Sequence, residues 1–244
     1  MWESMNIVRL DVVDSTNLYA KENLQTLPDR TVISAERQTS GRGRFDRTWV
    51  DLGDSNIFMS IVLKPSQNFD CIYTNITQYL SVVLCNVIEQ YGITAEIKWP
   101  NDVLVGGKKI AGILSETVMQ GSNFKGLVLG IGINLNSKIS DLKTIKDKDA
   151  TSLNIELSIE SVNKEKFLNK LLEEFFKNYD EFLKKGFTLI RNEYLSRACF
   201  LNKEISVMVF NNRKSGIAKD INTSGELVLE NDKKEFVLTM GDIL

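Results

Sequence analysis

The stretch Gly41-Arg42-Gly43-Arg44-Phe45-Asp46-Arg47-Thr48-Trp49 places three arginines on a segment with two glycines and ends on an indole. Glycine lets the backbone adopt positive φ and approach a ligand closely. Each guanidinium offers planar, permanently charged donors for carboxylate or phosphate oxygens. The stretch therefore predicts a loop that binds anions. Taken alone, it also fits a solvated turn or an unstructured Arg-Gly segment that contacts RNA.

The composition limits the chemistry around this loop. The chain has 244 residues, enough for one large domain or for one domain with a small second one. A net charge of −2 gives no overall basic field, so a small anionic ligand is favoured over nucleic acid. Histidine is absent, which excludes a Ser-His-Asp triad, a His-ligated zinc site and an imidazole base. Catalysis must therefore use lysine, arginine, carboxylates and backbone groups.

The cysteines and the N-terminus indicate the compartment. Cys71, Cys85 and Cys199 show no CxxC spacing, and we interpret them as reduced core residues. Residues 1–5 have neither the basic nor the apolar region of a signal peptide, and no apolar run reaches membrane-spanning length. We expect a cytoplasmic protein without a membrane partner.

The hydrophobic pattern on both sides of the loop predicts a sheet with helices. Strands are expected over 31–35 and 56–63. A further strand over 7–13 leads into Asp14-Ser15-Thr16-Asn17, whose side chains can cap a helix running toward Pro28. Apolar residues at helical spacing then predict a long helix over 71–91. Shorter strands are expected over 95–99, 102–105, 108–119 and 126–135, with a hairpin turn at Gly106-Gly107.

The C-terminal part has a different sequence pattern. A polar loop over 136–150 precedes an amphipathic helix over 163–185 and a short helix over 187–196. After Cys199, turn signals at 211–212, 224–225 and 231–232 separate short strands. We predict an α+β domain over 1–197, with a mixed β-sheet and packed helices, followed by a small SH3-like β-barrel over 198–244.

Three further segments belong with the loop: Lys98-Trp99-Pro100-Asn101-Asp102, Gly107-Lys108-Lys109-Ile110-Ala111-Gly112-Ile113-Leu114 and Gly130-Ile131-Gly132-Ile133-Asn134. Together with residues 14–17 and 41–49, and in this order, they resemble the signature segments of the class I biotin protein ligases. The resemblance runs from about Val12 to Asn134 and continues weakly into the C-terminal strands.

The resemblance implies a class II synthetase-like biotin/lipoate ligase catalytic domain. Its reaction would join biotin and Mg-ATP to give biotinoyl-5′-AMP and pyrophosphate, and would then transfer biotin to a lysine of a biotin carboxyl carrier protein. No bound prosthetic group is expected, and the protein would be a monomer or homodimer. Because only a few residues precede the first strand, no N-terminal DNA-binding domain, and hence no repressor function, is expected.

The resemblance also assigns residues. Those expected at biotin are Ser15, Thr16, Asn17, Gln38, Gly41, Arg42, Lys109, Gly112 and Leu114. Those expected at the nucleotide are Arg44, Arg47, Trp49, Lys98, Asn101, Asp102, Lys109 and Asn134, with Asp102 also holding Mg²⁺. The catalytic residues would be Lys109, Arg44 and Arg42.

Elementary chemistry agrees with these assignments. A carboxylate is already deprotonated at neutral pH, so its attack on a phosphate needs no general base. The reaction does need fixed positive charge, because two anions meet and further negative charge develops. A chain without histidine can supply that charge from lysine and arginine.

Other interpretations remain open at this point. A lipoate or octanoate ligase shares the architecture but has no use for polar residues such as Ser15, Thr16, Asn17 and Gln38. Some segments also have a purely structural interpretation. Ser15 or Asp14 fits a helix N-cap, Trp99 fits a core residue, and residues 106–109 fit an exposed hairpin tip. Gly130-Ile131-Gly132 lacks the third glycine of a dinucleotide fingerprint and fits a close backbone approach.

The chain also departs from the family in three places. Residues 50–54 replace the Ser-Pro that follows Trp49 in many members, which puts the shape of the loop exit in doubt. Residues 150–153 lack an aromatic that could stack on adenine, and no arginine stands at the C-terminus to reach the triphosphate.

Overall fold

A computed structural model describes residues 6–45, 47–53, 55–64, 75–145 and 149–244. Contacts divide the chain into two units, one formed by Met1–Phe69 and Lys108–Asn169, the other by Asp70–Gly107 and Lys170–Leu244. Within the described ranges, the strands are β1 Ile7–Val13, β2 Val32–Gln38, β3 Ile57–Leu63, β4 Glu96–Lys98, β5 Asp102–Val105, β6 Lys108–Gln120, β7 Asn123–Ile133, β8 Glu204–Val209, β9 Asn212–Ile221, β10 Leu227–Asn231, β11 Lys234–Leu238 and β12 Asp242–Ile243. The helices are α1 Thr16–Glu22, α2 Ile76–Glu89, α3 Ile139–Leu142, α4 Leu153–Leu157, α5 Lys164–Lys177, α6 Tyr179–Lys185 and α7 Arg191–Arg197, with a 3-10 turn over Gly186–Leu189.

The first unit contains a mixed sheet with strands in the order β1-β2-β3-β7-β6. β1 pairs with β2 in parallel, and the other neighbours pair antiparallel. Every residue of β3 is buried, as expected for a continuous apolar run at the centre of a sheet. Ala20 and Leu24 pack from α1 and the turn after it against Ile33, Val62 and Val128 of the sheet. The predicted mixed sheet with packed helices is confirmed.

The long hairpin of β6 and β7 sets the register on which the site depends. Gly112 lies opposite Gly132, and Leu114 lies opposite Gly130. Side chains of neighbouring strands normally cover such a surface. Three glycines on two adjacent strands therefore leave a stretch of bare backbone, which we call the glycine patch (Gly112, Gly130 and Gly132).

The second unit contains α2, the β4–β5 hairpin and the C-terminal strands. Trp99 is 3% exposed, so the interpretation of this tryptophan as a core residue is confirmed. Tyr79 of α2 stacks on Phe182, with ring centroids 4.4 Å apart. Strands β8 to β12 form an antiparallel sheet in the order β11-β10-β9-β8-β12, which confirms the small antiparallel C-terminal fold. The proposed boundary at residue 197 stays a prediction.

Several helix bounds differ from the predictions. The helix after Ser15 ends at Glu22 instead of running toward Pro28. At this end Tyr19 O accepts from both the Asn23 backbone N–H at 3.1 Å and the Asn23 side chain at 2.9 Å. The predicted helix over 163–185 is divided at Asn178. Tyr79 Oη donates to Phe175 O, the carbonyl to which an unbroken helix would direct the Tyr179 N–H.

Other differences concern the loop after β7 and the cysteines. The predicted loop over 136–150 contains the short helix α3, and α4 was not predicted. The long second helix is described from Ile76 onward, so the interpretation of Cys71 lies outside the described residues. Cys85 is buried and Cys199 is partly exposed, both as free thiols, and burial raises the pKa of Cys85 to about 12.

Candidate active site

The start of α1 carries a cluster of buried polar side chains. Ser15, Thr16, Asn17 and Gln38 are each no more than 8% exposed, and Ser60 of β3 is fully buried beside them. Ser15 is the N-cap residue of α1, with its hydroxyl accepting from the Leu18 N–H at 3.5 Å, as one interpretation of the sequence predicted. Buried polar groups need partners, so the hydrogen bonds of this cluster define what it can offer a ligand.

Gln38 has a fixed orientation. Its Oε1 accepts from the Thr16 N–H at 2.8 Å and from Thr16 Oγ1 at 3.1 Å. The backbone N–H can only donate, so Oε1 must face it and Nε2 must face the other way. A Cβ placed on Gly41 would lie 3.1 Å from that Nε2. The segment 41–49, which we call the arginine loop, therefore begins directly beside the Gln38 donor.

Ser60 is a site residue that the sequence interpretation missed. Its Oγ lies 2.6 Å from Asn17 Oδ1 and 2.8 Å from Thr16 Oγ1. The signal was a single hydroxyl in an otherwise apolar strand. Its use could not be read from the sequence, because the partners lie more than 40 residues away.

The glycine patch lies under three side chains of the first unit. A Cβ on Gly132 would clash with the indole of Trp49, and a Cβ on Gly130 would clash with Asn17 Oδ1. A Cβ on Gly112 would lie 2.8 Å from Trp49 Cζ3 and 3.0 Å from Lys109 Nζ. Gly130 and Gly132 are points of close approach, as predicted, but the groups that approach them are the side chains of Asn17 and Trp49 and not backbone.

The arginine loop folds into a small hairpin. Gly43 N–H donates to Arg47 O at 2.7 Å and Trp49 N–H donates to Gly41 O at 3.0 Å, and Arg42 pairs with Thr48. The Arg44 guanidinium lies 4.9 Å from the centroid of the Phe45 ring. Arg42 and Arg47 are exposed and Arg44 is partly buried. The three guanidinium groups of Arg42, Arg44 and Arg47 are thus carried on one short paired segment.

Lys109 and Lys108 have different surroundings, as strand alternation predicts. Lys109 Nζ lies 5.5 Å from the centroid of the Trp49 ring, above the glycine patch. Lys108 is exposed, with its Nζ 3.9 Å from Glu156 Oε1. The hairpin-tip interpretation therefore holds for residues 106–108, where both glycines adopt positive φ, and fails for Lys109.

Asn134 and the Lys109 backbone hold the segment 149–153. Lys109 N–H donates to Asp149 O and Thr151 N–H donates to Lys109 O, both at 2.9 Å. Asn134 Nδ2 donates to Thr151 O at 3.1 Å, and its carbonyl accepts from the Leu153 N–H at 3.1 Å. The segment that lacks the family's aromatic is thereby fixed next to Lys109.

Lys98, Asn101 and Asp102 belong to the second unit. Lys98 ends β4, Asp102 begins β5 opposite it, and Asn101 lies in the turn between them. Asp102 is 8% exposed. Across the described ranges, no group of three or more cysteine, aspartate and glutamate residues could hold a metal ion.

Glu116 is a second residue that the sequence interpretation missed. Its Oε1 lies 2.7 Å from Lys21 Nζ, and its Oε2 accepts from Asn17 Nδ2 at 2.9 Å. Burial alone would raise the pKa of Glu116, but the hydrogen bonds from Lys21 and Asn17 and the charges of Lys21 and Arg42 outweigh it and lower that pKa. A carboxylate that stays ionised therefore lies behind the polar cluster.

The comparisons with known proteins agree with this site. The profile described as the biotin/lipoate A/B protein ligase family matches residues 10–134, slightly more than half of the chain. This protein belongs to that family. The match contains the polar cluster, the arginine loop, Lys109 and the glycine patch. In the part of the chain that the structure describes, no helix is long and apolar enough to cross a membrane.

Individual relatives are similar over most of the chain. The bifunctional ligase/repressor BirA of Bacillus spizizenii is 32% identical over 227 residues, which cover 92% of this chain and 69% of that protein. The biotin–[acetyl-CoA-carboxylase] ligase of Paracoccus denitrificans is 29% identical and covers 94% of this chain and 96% of that protein. The solved structure of biotin protein ligase from Aquifex aeolicus in complex with biotin and ATP has a TM-score of 0.86 and 25% identity, and the alignment covers 99% of this chain and 98% of that one.

Proposed function

We propose that this protein is an ATP-dependent biotin protein ligase, which activates biotin as biotinoyl-5′-AMP and transfers it to a lysine of a biotin carboxyl carrier protein. The observation that carries the proposal is the buried polar cluster beside the glycine patch and Lys109. Relatives named biotin–[acetyl-CoA-carboxylase] ligase support the same reaction.

The polar cluster suits the head of biotin. A ureido group is neutral, with two N–H donors and one carbonyl acceptor. Gln38 directs its Nε2 donors away from Thr16, and Asn17 offers Oδ1 as an acceptor above Gly130. A site built from oriented polar groups rejects ligands that leave those groups unpaired. The dithiolane of lipoate and the methyl end of octanoate would leave the polar groups of this cluster unpaired.

The cations suit the adenylation step. The biotin carboxylate needs no general base, and its approach to the α-phosphate brings two anions together. Lys109 would bridge the carboxylate and the α-phosphate, and Arg44 and Arg47 would hold phosphate oxygens. Arg42, whose backbone would line the biotin slot, would add positive charge there. Charged donors fixed in advance stabilise the charge that develops in the transition state. Lys109, Arg44 and Arg42 are therefore our proposed catalytic residues.

The nucleotide would enter as Mg-ATP. We assign Trp49, Lys98, Asn101, Asp102 and Asn134 to nucleotide binding. Mg²⁺ in enzymes is often held by one or two carboxylates together with substrate phosphates. A single buried carboxylate such as that of Asp102 fits this kind of site, in which the phosphates supply the remaining ligands. The two free thiols fit a reducing compartment, and we place the reaction in the cytoplasm.

One experiment tests the proposal against its rivals. Isothermal titration calorimetry of the purified protein with biotin, lipoate and octanoate identifies the acyl substrate. Mass spectrometry after addition of Mg-ATP then detects the acyl-adenylate, and a carrier domain supplied in the same tube should gain one biotinyl group. Biotin binding with biotinoyl-5′-AMP formation is expected. Preference for lipoate or octanoate, or binding of RNA without any acyl-adenylate, would overturn the proposal.

A further inference from the structure

The amide of Asn17 has partners on both sides. Its Nδ2 donates to Leu114 O at 3.3 Å and to Glu116 Oε2 at 2.9 Å, and its Oδ1 accepts from Ser60 Oγ at 2.6 Å. A backbone carbonyl and a carboxylate can only accept hydrogen bonds. The NH₂ group of Asn17 must therefore face them, and Oδ1 must face Ser60 and the glycine patch.

Glu116 is itself held in place. One carboxylate oxygen lies 2.7 Å from Lys21 Nζ, and the other accepts from Asn17. The side chains of Lys21 and Glu116 are 29% and 21% exposed. Partly exposed ion pairs of this kind contribute little to stability. The contact between Glu116 and Asn17 is the more buried of the two, because Asn17 is only 4% exposed.

We infer that Glu116 is a positioning residue for biotin, which fixes the Asn17 amide so that Oδ1 is presented to the ligand as a hydrogen-bond acceptor. The inference rests on the proposed function, since it names the device that sets the hydrogen-bond polarity of the proposed biotin slot. An acceptor at this point pairs with a ligand N–H, as a ureido ring provides. With the amide reversed, NH₂ would face Ser60 and the same N–H would meet a donor. Glu116 thus acts on biotin through Asn17, without touching it.

An exchange of hydrogen-bond polarity tests the inference. Asn17→Asp removes the donor and places two carboxylates face to face, so biotin affinity measured by calorimetry should fall on the order of a hundredfold. Adding Glu116→Gln in the same chain restores a donor on the other side of the contact and keeps an oxygen facing Ser60. The double variant should bind biotin at least about tenfold more tightly than Asn17→Asp alone.

Two further variants separate positioning from stability. Glu116→Leu removes the acceptor for Asn17 and should weaken biotin binding roughly tenfold. Lys21→Met removes the ion pair but leaves the contact between Asn17 and Glu116, so its loss of biotin affinity should be clearly smaller, whatever its effect on the melting temperature. This pair decides the matter if Asn17→Asp does not fold.

The outcomes are distinct. A double variant that binds no better than Asn17→Asp, or equal losses of affinity in Lys21→Met and Glu116→Leu, would overturn the role of Glu116. Absence of biotin binding by the unsubstituted protein would instead contradict the proposed function.

Discussion

Replacement of Lys109 by glutamine should lower the rate of biotin adenylation by about a hundredfold or more, with a smaller effect on biotin affinity. The ammonium group lies above the glycine patch, 5.5 Å from the Trp49 ring centroid, where it can meet charge that appears only as carboxylate and phosphate combine. A unit charge about 4 Å from another contributes roughly 4 kcal/mol at an effective dielectric constant near 20. Loss of a single oxyanion donor typically costs about 3 kcal/mol. Both figures correspond to about two powers of ten or more in rate.

Lys108→Gln is the matched control. Lys108 precedes Lys109 in β6, its side chain is 53% exposed, and its Nζ lies 3.9 Å from Glu156 Oε1. An exposed pair of this kind contributes about 0–1 kcal/mol, so this substitution should change the adenylation rate by less than about fivefold. The two variants differ by one position and remove the same charge.

Pyrophosphate release measures the adenylation rate of both variants, and calorimetry measures their biotin affinity in parallel. Thermal melts confirm that each variant is folded. If both substitutions slow adenylation equally, or if Lys109→Gln loses only biotin affinity, then Lys109 does not act in the transition state and the reasoning from its position is wrong.

Three other predictions follow from the first unit. Gly130→Ala should abolish biotin binding and destabilise the fold by about 1–3 kcal/mol, because the new methyl group displaces Asn17. Calorimetry measures the biotin affinity and urea unfolding measures the stability. Unchanged biotin affinity would contradict this prediction. Like charges on the arginine loop should favour its opening without ligand, so trypsin should cut after Arg42, Arg44 or Arg47 in the free protein and more slowly once biotin and Mg-ATP are added. Equal cleavage rates would count against closure of the loop. Since the pKa of Glu116 is lowered from its ordinary value of 4.5, the interactions of its carboxylate with Lys21 and Asn17 together should stabilise the fold above that pH and lose their effect as the pH falls through the lowered pKa. The difference in melting temperature between the unsubstituted protein and Glu116→Leu should therefore shrink in acid, and a difference that grows would refute this sign.

Local chemistry made most of the strands and the motif segments predictable. The strand over 7–13 and the strand over 102–105 have the bounds that alternation and turn residues indicated. Helix ends were less predictable, because tertiary contacts decide them. The hydroxyl of Tyr79 bonds to a carbonyl in α5 that lies 96 residues away, and no local pattern announces such a contact.

The candidate site also contains residues that the sequence predicted and residues that it did not. The resemblance predicted that Gln38 and Lys109 belong to one site. Both residues lie in the first unit, and their shared site stays a prediction. Ser60 and Glu116 were missed because their partners become visible only with the strand register and the placement of α1. A single buried hydroxyl and a single acid carry no spacing signature, and their function depends on what lies across 43 and 99 residues of chain respectively.

The glycine patch has a consequence for engineering the substrate range of this protein. Its three positions already carry the smallest side chain, so no substitution there can enlarge the space above them. Every substitution at residues 112, 130 or 132 adds side-chain atoms and so reduces the space above the patch. Variants that accept bulkier biotin analogues must therefore arise at the groups that lie over the patch, above all Trp49, or in the arginine loop that carries it. A mutant library directed at the loop can yield new specificities, whereas one directed at the patch can yield only losses.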